Sequence, residues 1–251
     1  MSVARGRQRG RRNRDVFEKA AVLITALAMV LGQLLFVAAP AEAATWVPQY
    51  LPTLEDSFAV DFPVDAVTGY AVGRNGSTLR TFDGGGSWSS GGATGTSQDL
   101  NAVSFSSANV GHAVGKAGVI ISTSNSGTSW SLQTPTLVDL FDVDFPSATI
   151  GYSVGKDGTI LATVDGGATW IPQVSGTTDD IYAVDFADPL SGIATGRSGM
   201  VLTTSDGGAT WIPRVSGTGD HLNGVSFGSA TEAWAAGRNG TILKSVDAGV
   251  N

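Results

Sequence analysis

Three aspartates, Asp61, Asp144 and Asp185, occupy one position in a recurring segment: 58–62 (FAVDF), 141–145 (FDVDF) and 182–186 (YAVDF). Carboxylates brought together from separate segments could serve as acid, base and stabiliser in a glycosidase, or hold a cation. The other two copies, 101–105 (NAVSF) and 223–227 (NGVSF), place Ser104 and Ser226 there instead. Aspartate and serine share the ability to hydrogen-bond backbone, so the plainer expectation is that these side chains tie neighbouring repeats together and that no residue is catalytic. A sialidase-like site would need an arginine cluster and a Tyr/Glu pair. Beyond residue 43 the chain has only Glu55 and Glu232, at non-equivalent places.

A second set of charges recurs without exception. Arg74, Lys116, Lys156, Arg197 and Arg238 each fill the second place of a G-[RK]-x-G turn. Five cations on one face would suit an anionic partner. The competing reading is local pairing, because Asp56, Asp99, Asp139 and Asp180 each precede the conserved Val of the neighbouring segment by four residues, with Asp220 one place earlier. Exposed pairs of this kind contribute only about 0.2–1 kcal/mol. The five cations are the partner-binding candidates.

A third constellation is structural in character. The segments 81–88 (TFDGGGSW), 163–170 (TVDGGATW) and 204–211 (TSDGGATW) follow the Asp-box pattern S/T-x-D-x-G-x-x-W. An Asp at the head of a turn accepts hydrogen bonds from the turn's own N–H groups, glycines supply positive φ, and the Trp packs back over the hairpin. Asp83, Trp88, Asp165, Trp170, Asp206 and Trp211 take these roles. Asn125 and Trp130 hold the second copy, where Ser126 replaces a glycine, and Asp247 opens the fifth; both are expected to be weaker turns.

These residues are positioned by a repeat. Trp46, Trp88, Trp130, Trp170 and Trp211 lie 40–42 residues apart, and between them the FxVxF-like segment and the glycine turn recur five times in fixed order. Each unit reads as four short strands. In the third copy they are A at 140–145, B at 151–155, C at 159–164 and D at 169–174. Pro48, Pro172 and Pro213 fall in strand D, where a missing N–H is tolerable only on an edge, so D lies outermost. Four-stranded antiparallel sheets at this spacing make an all-β propeller of five blades. The segment 45–49 (TWVPQ) matches 169–173 (TWIPQ), so residues 46–49 are expected to pair with 241–245 and close the last blade.

The full unit, DLFDVDF through GYSVGKDGTIL to DGGATW at 139–170, resembles the photosystem II stability and assembly factor family, and the resemblance spans nearly all of 44–251. It implies an extracytoplasmic or thylakoid-lumenal propeller without enzymatic activity, with a role in photosynthesis. Its partner would be a protein such as a membrane-protein assembly intermediate. Characterised members have seven blades, against five units here. The alternatives are a carbohydrate-binding, lectin-like propeller, in which Trp and Tyr stack on sugars, and the glycosidase built on Asp61, Asp144 and Asp185. Against the lectin, the repeated Trp residues belong to Asp-boxes. Tyr70, Tyr152 and Trp234 share a position with His112 and Ile193.

Residues 1–43 are of another kind. Seven basic residues precede an apolar run at 20–39, and Ala41-Glu42-Ala43 then offers small residues for cleavage, so this segment is a signal peptide or an N-terminal membrane anchor and 44–251 is the propeller domain. The chain is thus expected outside the cytoplasm: secreted, periplasmic or lumenal, or anchored to the outer side of the membrane. Residues 44–251 keep 8 basic and 19 acidic residues, a net charge of −11, which offers no footprint for nucleic acid. There is no cysteine, and the two histidines, His112 and His221, lie in different repeats, so neither a metal site nor a cofactor site is expected.

Overall fold

The computed structural model describes residues 47–49, 51–63 and 67–250. The segment 1–43 and Trp46 lie outside the described residues. The chain divides into two units, Met1–Pro48 and Gln49–Asn251, and the second carries every described strand. Among the described residues no helix is long and apolar enough to cross a membrane.

Five antiparallel sheets follow one another in chain order. The first contains β1 (Ser57–Asp61), β2 (Gly69–Gly73), β3 (Thr78–Thr81) and β4 (Ser89–Ser90). The second contains β5 (Leu100–Phe105), β6 (Gly111–Gly115), β7 (Ile120–Thr123) and β8 (Ser131–Gln133). The third contains β9 (Leu140–Asp144), β10 (Gly151–Gly155), β11 (Ile160–Thr163) and β12 (Ile171–Gln173). The fourth contains β13 (Ile181–Phe186), β14 (Gly192–Gly196), β15 (Val201–Thr204) and β16 (Ile212–Arg214), and the fifth β17 (Leu222–Phe227), β18 (Ala233–Gly237) and β19 (Ile242–Ser245). These are the blades of a propeller, with strands A to D in the first four as the repeat predicts and strands A to C in the fifth among the described residues. Pro172 and Pro213 fall in the edge strands β12 and β16.

The inner strands β1, β5, β9, β13 and β17 pack against one another in series. Every residue of the second strands β2, β6, β10 and β14 is buried. The series has two ends. Val60 of β1 is 60% exposed, whereas its equivalents Val103, Val143 and Val184 are 9%, 5% and 4% exposed. β17 and β18 likewise alternate between buried and open positions. In the last sheet β19 pairs with β18 and carries no fourth strand among the described residues, and Val47, Pro48 and Gln49 belong to no strand.

The blade junctions are built from rings. Tyr70 stacks on Phe105 at 3.6 Å, His112 on Phe145 at 4.0 Å and Tyr152 on Phe186 at 3.8 Å, each joining strand B of one blade to strand A of the next. The Asp-box Trp of the later blade meets the same Phe edge-on: Trp130 at 6.0 Å, Trp170 at 5.8 Å and Trp211 at 6.0 Å. Each Trp therefore reaches beyond its hairpin into the junction. Offset and edge-to-face arrangements of this kind contribute about 0.5–1.5 kcal/mol beyond the area they bury.

Candidate functional site

The five basic residues stand on five copies of one turn. Each turn follows strand B and is a single 3-10 turn whose middle residue, Asn75, Ala117, Asp157, Ser198 or Asn239, has φ between 53° and 56°. The glycine before the cation is required by close approach: a Cβ on Gly155 would lie 2.2 Å from the Asp139 carbonyl oxygen. The backbone N–H of each cation donates to the loop that leads into strand A of its own blade, as Lys156 N does to Asp139 O at 2.9 Å and Arg238 N to His221 O at 2.9 Å. The turns and these loops thus share one face.

The acids of that face are used largely as backbone acceptors. Asp99 accepts from Asn75 N at 3.0 Å, Asp139 from Ala117 N at 2.9 Å and Asp180 from Asp157 N at 3.1 Å, each holding the left-handed residue of the preceding blade. In the last copy His221 takes this place, its Nδ1 accepting from Ser198 N at 3.1 Å. Asp220, one residue earlier, instead accepts from Asn239 and Thr241. Sequence reading missed the role of His221, although its alignment with Asp99, Asp139 and Asp180 was the available signal.

Local pairing accounts for only two of the cations. Arg74 pairs with Asp56 at 2.7 Å and Lys116 with Asp99 at 2.6 Å. Lys156, Arg197 and Arg238 are exposed, and among the described residues none has a carboxylate within ion-pair distance. The bonds from Lys116 and Asn75 hold the Asp99 carboxyl below the usual carboxylate range. The five-membered ring expected from sequence therefore resolves into two neutralised positions on the first two blades and three open ones on the last three.

The aspartates of strand A are tied to the next blade. Asp61 accepts from Phe105 N at 2.7 Å, Asp144 from Phe186 N at 3.0 Å and Asp185 from Phe227 N at 2.5 Å. Where Ser104 stands instead, Asn101 bridges the junction through a bond to Leu140 O at 2.7 Å. A further carboxylate at this interface, Asp142, accepts from Val184 N at 2.9 Å and from Val143 N at 2.9 Å. Burial pushes the Asp142 and Asp144 carboxyls up to about 7, with the charge of Asp185 adding to both; burial also raises Asp61 and Asp185. Such shifts mark functional sites and structural networks alike. Here every carboxylate is aimed at a backbone N–H of the next blade, the geometry of a strut. No group of three or more ligating side chains able to hold a metal occurs among the described residues.

The aromatic residues that a sugar-binding site would use are mostly consumed. Tyr70, Tyr152 and His112 are buried in the junction stacks, and the Tyr70 and Tyr152 hydroxyls donate to carbonyls of the following blade. The His112 ring sits in the same slot with Nε2–H donating to Gly166 O at 3.1 Å, and burial pushes its pKa down to about 4. Trp234, on the last blade, is the exposed member of this set.

The Asp-box bonds recur with little variation. Asp165 accepts from Thr163 Oγ1 at 2.8 Å, Thr169 N at 2.8 Å and Thr169 Oγ1 at 2.7 Å. Asp83 and Asp206 do the same with their own turns. These donors hold the exposed carboxyls of Asp83 and Asp165 at about 2. Asn125 keeps the pattern at 3.0 Å from both Thr123 Oγ1 and Ser129 N, with Ser126 at a φ of 58°. Asp247 is reached by Ser245 Oγ at 2.8 Å.

This repeat has a known counterpart. Residues 38–135 and 173–251 match the profile of photosynthesis system II assembly factor YCF48. The chain belongs to that family. Two solved YCF48 structures share the fold. One, described as YCF48 bound to D1 peptide, is 21% identical with a TM-score of 0.58, over 80% of this chain and 81% of that one. The other, YCF48 from Cyanidioschyzon merolae, is 26% identical with a TM-score of 0.63, over 79% of this chain and 69% of that one. An ancestral GH74 enzyme is similar in fold, at 18% identity and a TM-score of 0.63, over 80% of this chain and 31% of its own length. No curated protein matches significantly.

Proposed function

We propose that this chain is an exported, non-enzymatic binding propeller that takes an anionic segment of a protein partner on its turn face, at Lys156, Arg197 and Arg238. One observation carries this reading: among the described residues, three of the five equivalent, exposed cations have no carboxylate within ion-pair distance, and they are those of the third, fourth and fifth blades. Unpaired cations are free to form charge-assisted bonds with an incoming carboxylate, at no cost in broken pairs. Family membership supports a protein as the partner, since a YCF48 relative has been solved with a D1 peptide. A membrane-protein assembly intermediate is the partner class that follows. The use of Asp61, Asp144 and Asp185 as backbone acceptors supports the absence of hydrolytic activity.

Export rests on the basic and apolar segments of 1–43. Mass spectrometry of the N-terminus from the native host reads cleavage after Ala43 or retention of the segment as an anchor, and a soluble cytoplasmic protein with Met1 intact refutes both. For binding, the wild type and the triple variant Lys156→Ala, Arg197→Ala, Arg238→Ala are compared in capture from envelope extract at two salt concentrations. Loss of the partner in the triple variant, with Arg74→Ala and Lys116→Ala retaining it, is the expected result. Equal capture by both proteins defeats the proposal, and saturable binding to a glycan array would replace it with the lectin reading.

A further inference from the structure

Strand A of every blade carries one residue more than its partner strand opposes. In the third blade the pairing steps from Leu140 with Gly155 to Asp142 with Val154, so Phe141 is the extra residue. The same step makes Phe58, Asn101, Tyr182 and Asn223 the extra residues of the other blades. A bulge of this kind re-aims the side chain it inserts. It lies at the turn-face end of the strand, close to the cations. Lys156 N donates to Asp139 O at 2.9 Å and Arg197 N to Asp180 O at 3.0 Å, and Phe141 and Tyr182 follow those two carbonyls by two residues.

What the bulges deliver differs along the chain. In the second blade the bulge holds Asn101, whose side chain is tied to Leu140 O at 2.7 Å. In the third and fourth blades it holds rings. Phe141 and Tyr182 lie 5.7 Å apart, and Tyr182 lies 5.9 Å from His221, which directly precedes β17 in the fifth blade. The three rings form a half-buried row. His221 is fixed between two cation turns, since its Nδ1 accepts from Ser198 N at 3.1 Å and its carbonyl from Arg238 N at 2.9 Å. Unlike the Tyr70 and Tyr152 hydroxyls, which donate to carbonyls, the Tyr182 hydroxyl makes no hydrogen bond among the described residues. The row thus occupies the same three blades as Lys156, Arg197 and Arg238.

We infer that Phe141, Tyr182 and His221 form an apolar subsite of the turn face, which receives an aromatic side chain from an acidic protein segment whose carboxylates meet Lys156, Arg197 and Arg238. This deepens the binding reading given above and rests on it for the charge of the partner. Ring edges and faces left uncovered by one another favour a further ring. Charge complementarity selects among flat apolar groups, because the cations beside the row favour one flanked by carboxylates. Two residues of extended chain span about 7 Å, so the acid belongs within about two residues of the aromatic side chain.

The test uses the full chain and two dye-labelled peptides, Gly-Asp-Gly-Trp-Gly-Asp-Gly and its counterpart with Ala in place of Trp. Fluorescence anisotropy should give a Kd about three- to tenfold lower for the Trp peptide. Tyr182→Ser should erase that preference, and Tyr182→Phe should keep it. The wild-type chain supplies a second readout should a variant fail to fold, since it has only two histidines. The NMR signal of the His221 Cε1–H should move upfield as the Trp peptide is added, while that of His112, buried in a junction, stays in place. Equal binding of the two peptides, no saturable binding of either, or an unmoved His221 signal overturns the inference. A Trp preference that survives in Tyr182→Ser overturns it too, by placing the ring elsewhere. Saturable binding of cellohexaose that is lost in Tyr182→Ser, with no preference between the peptides, gives the row to sugars and likewise overturns it. The charge reading fails separately: the triple alanine variant should lose both peptides, and if it binds both as the wild type does, the cations take no part whatever the fate of the row.

Discussion

At the scale of single residues, the junction carboxylates make stability depend on pH in an unusual direction. Asp142 and Asp144 have folded-state values near 7, above the unfolded value near 4, so the fold favours their protonated forms. Their contribution is fully present below the unfolded value and is lost as pH rises through the folded one. His112 acts oppositely: with its folded value near 4, its contribution is lost as pH falls from about 6.5 toward 4. A comparison with Asp142→Asn, Asp144→Asn isolates the carboxylates because His112 is common to both proteins. The wild-type melting temperature, relative to this double variant, should fall between pH 5 and pH 8. A constant difference over that range would show that these carboxyls are ionised throughout. The same residues carry the lesson about catalysis: these carboxyls are shifted by burial at the blade junctions, where each accepts a backbone N–H of the adjacent blade.

At the scale of the element, the Asp-box is the unit that fixes the C-to-D hairpin. Asp165→Ala removes three acceptor contacts from one turn and leaves the Thr169 N–H without its partner. The expected result is a lower midpoint in urea denaturation, while Asn125→Asp in the second blade should leave the midpoint nearly unchanged because the amide already holds the same geometry. An equal loss at both sites would mean that the turn is held by the Trp and not by the carboxylate. This element was readable from residues 163–170 alone, because turn chemistry is local: the Asp, the glycines and the Trp sit within eight positions. Strand order was readable for a similar reason, Pro172 placing the fourth strand on an edge. What the sequence could not reveal depends on contacts that reach outside any one local motif, such as Trp130 with Phe105, Trp170 with Phe145 and Lys116 with Asp99. Nothing in 123–130 or 163–170 says that the Trp reaches the Phe at the heart of a junction. Nor does the spacing of Arg74 and Lys116 say that these two cations, and not Lys156, would find an acid.

At the scale of the whole Gln49–Asn251 unit, the serial packing of blades and the uncovered flanks of the first and last have an energetic meaning. Each blade gains stability from its own hairpins and from one junction on each covered side, so the total resembles a sum of unit and nearest-neighbour terms. Among the described residues the second, third and fourth blades have two junctions, and the first, where Val60 is exposed, and the fifth, where Trp234 is, have one. Native-state hydrogen exchange should therefore show protection that rises from β2 to β10 and falls again toward β18. Uniform protection across all five sheets would instead indicate a single cooperative body. Seen in this way the open flanks make the molecule behave as a short linear polymer: thermal fluctuations enter at its ends and travel inward one blade at a time. Whatever covers an end blade, by supplying the missing junction, lengthens the lifetime of every blade behind it.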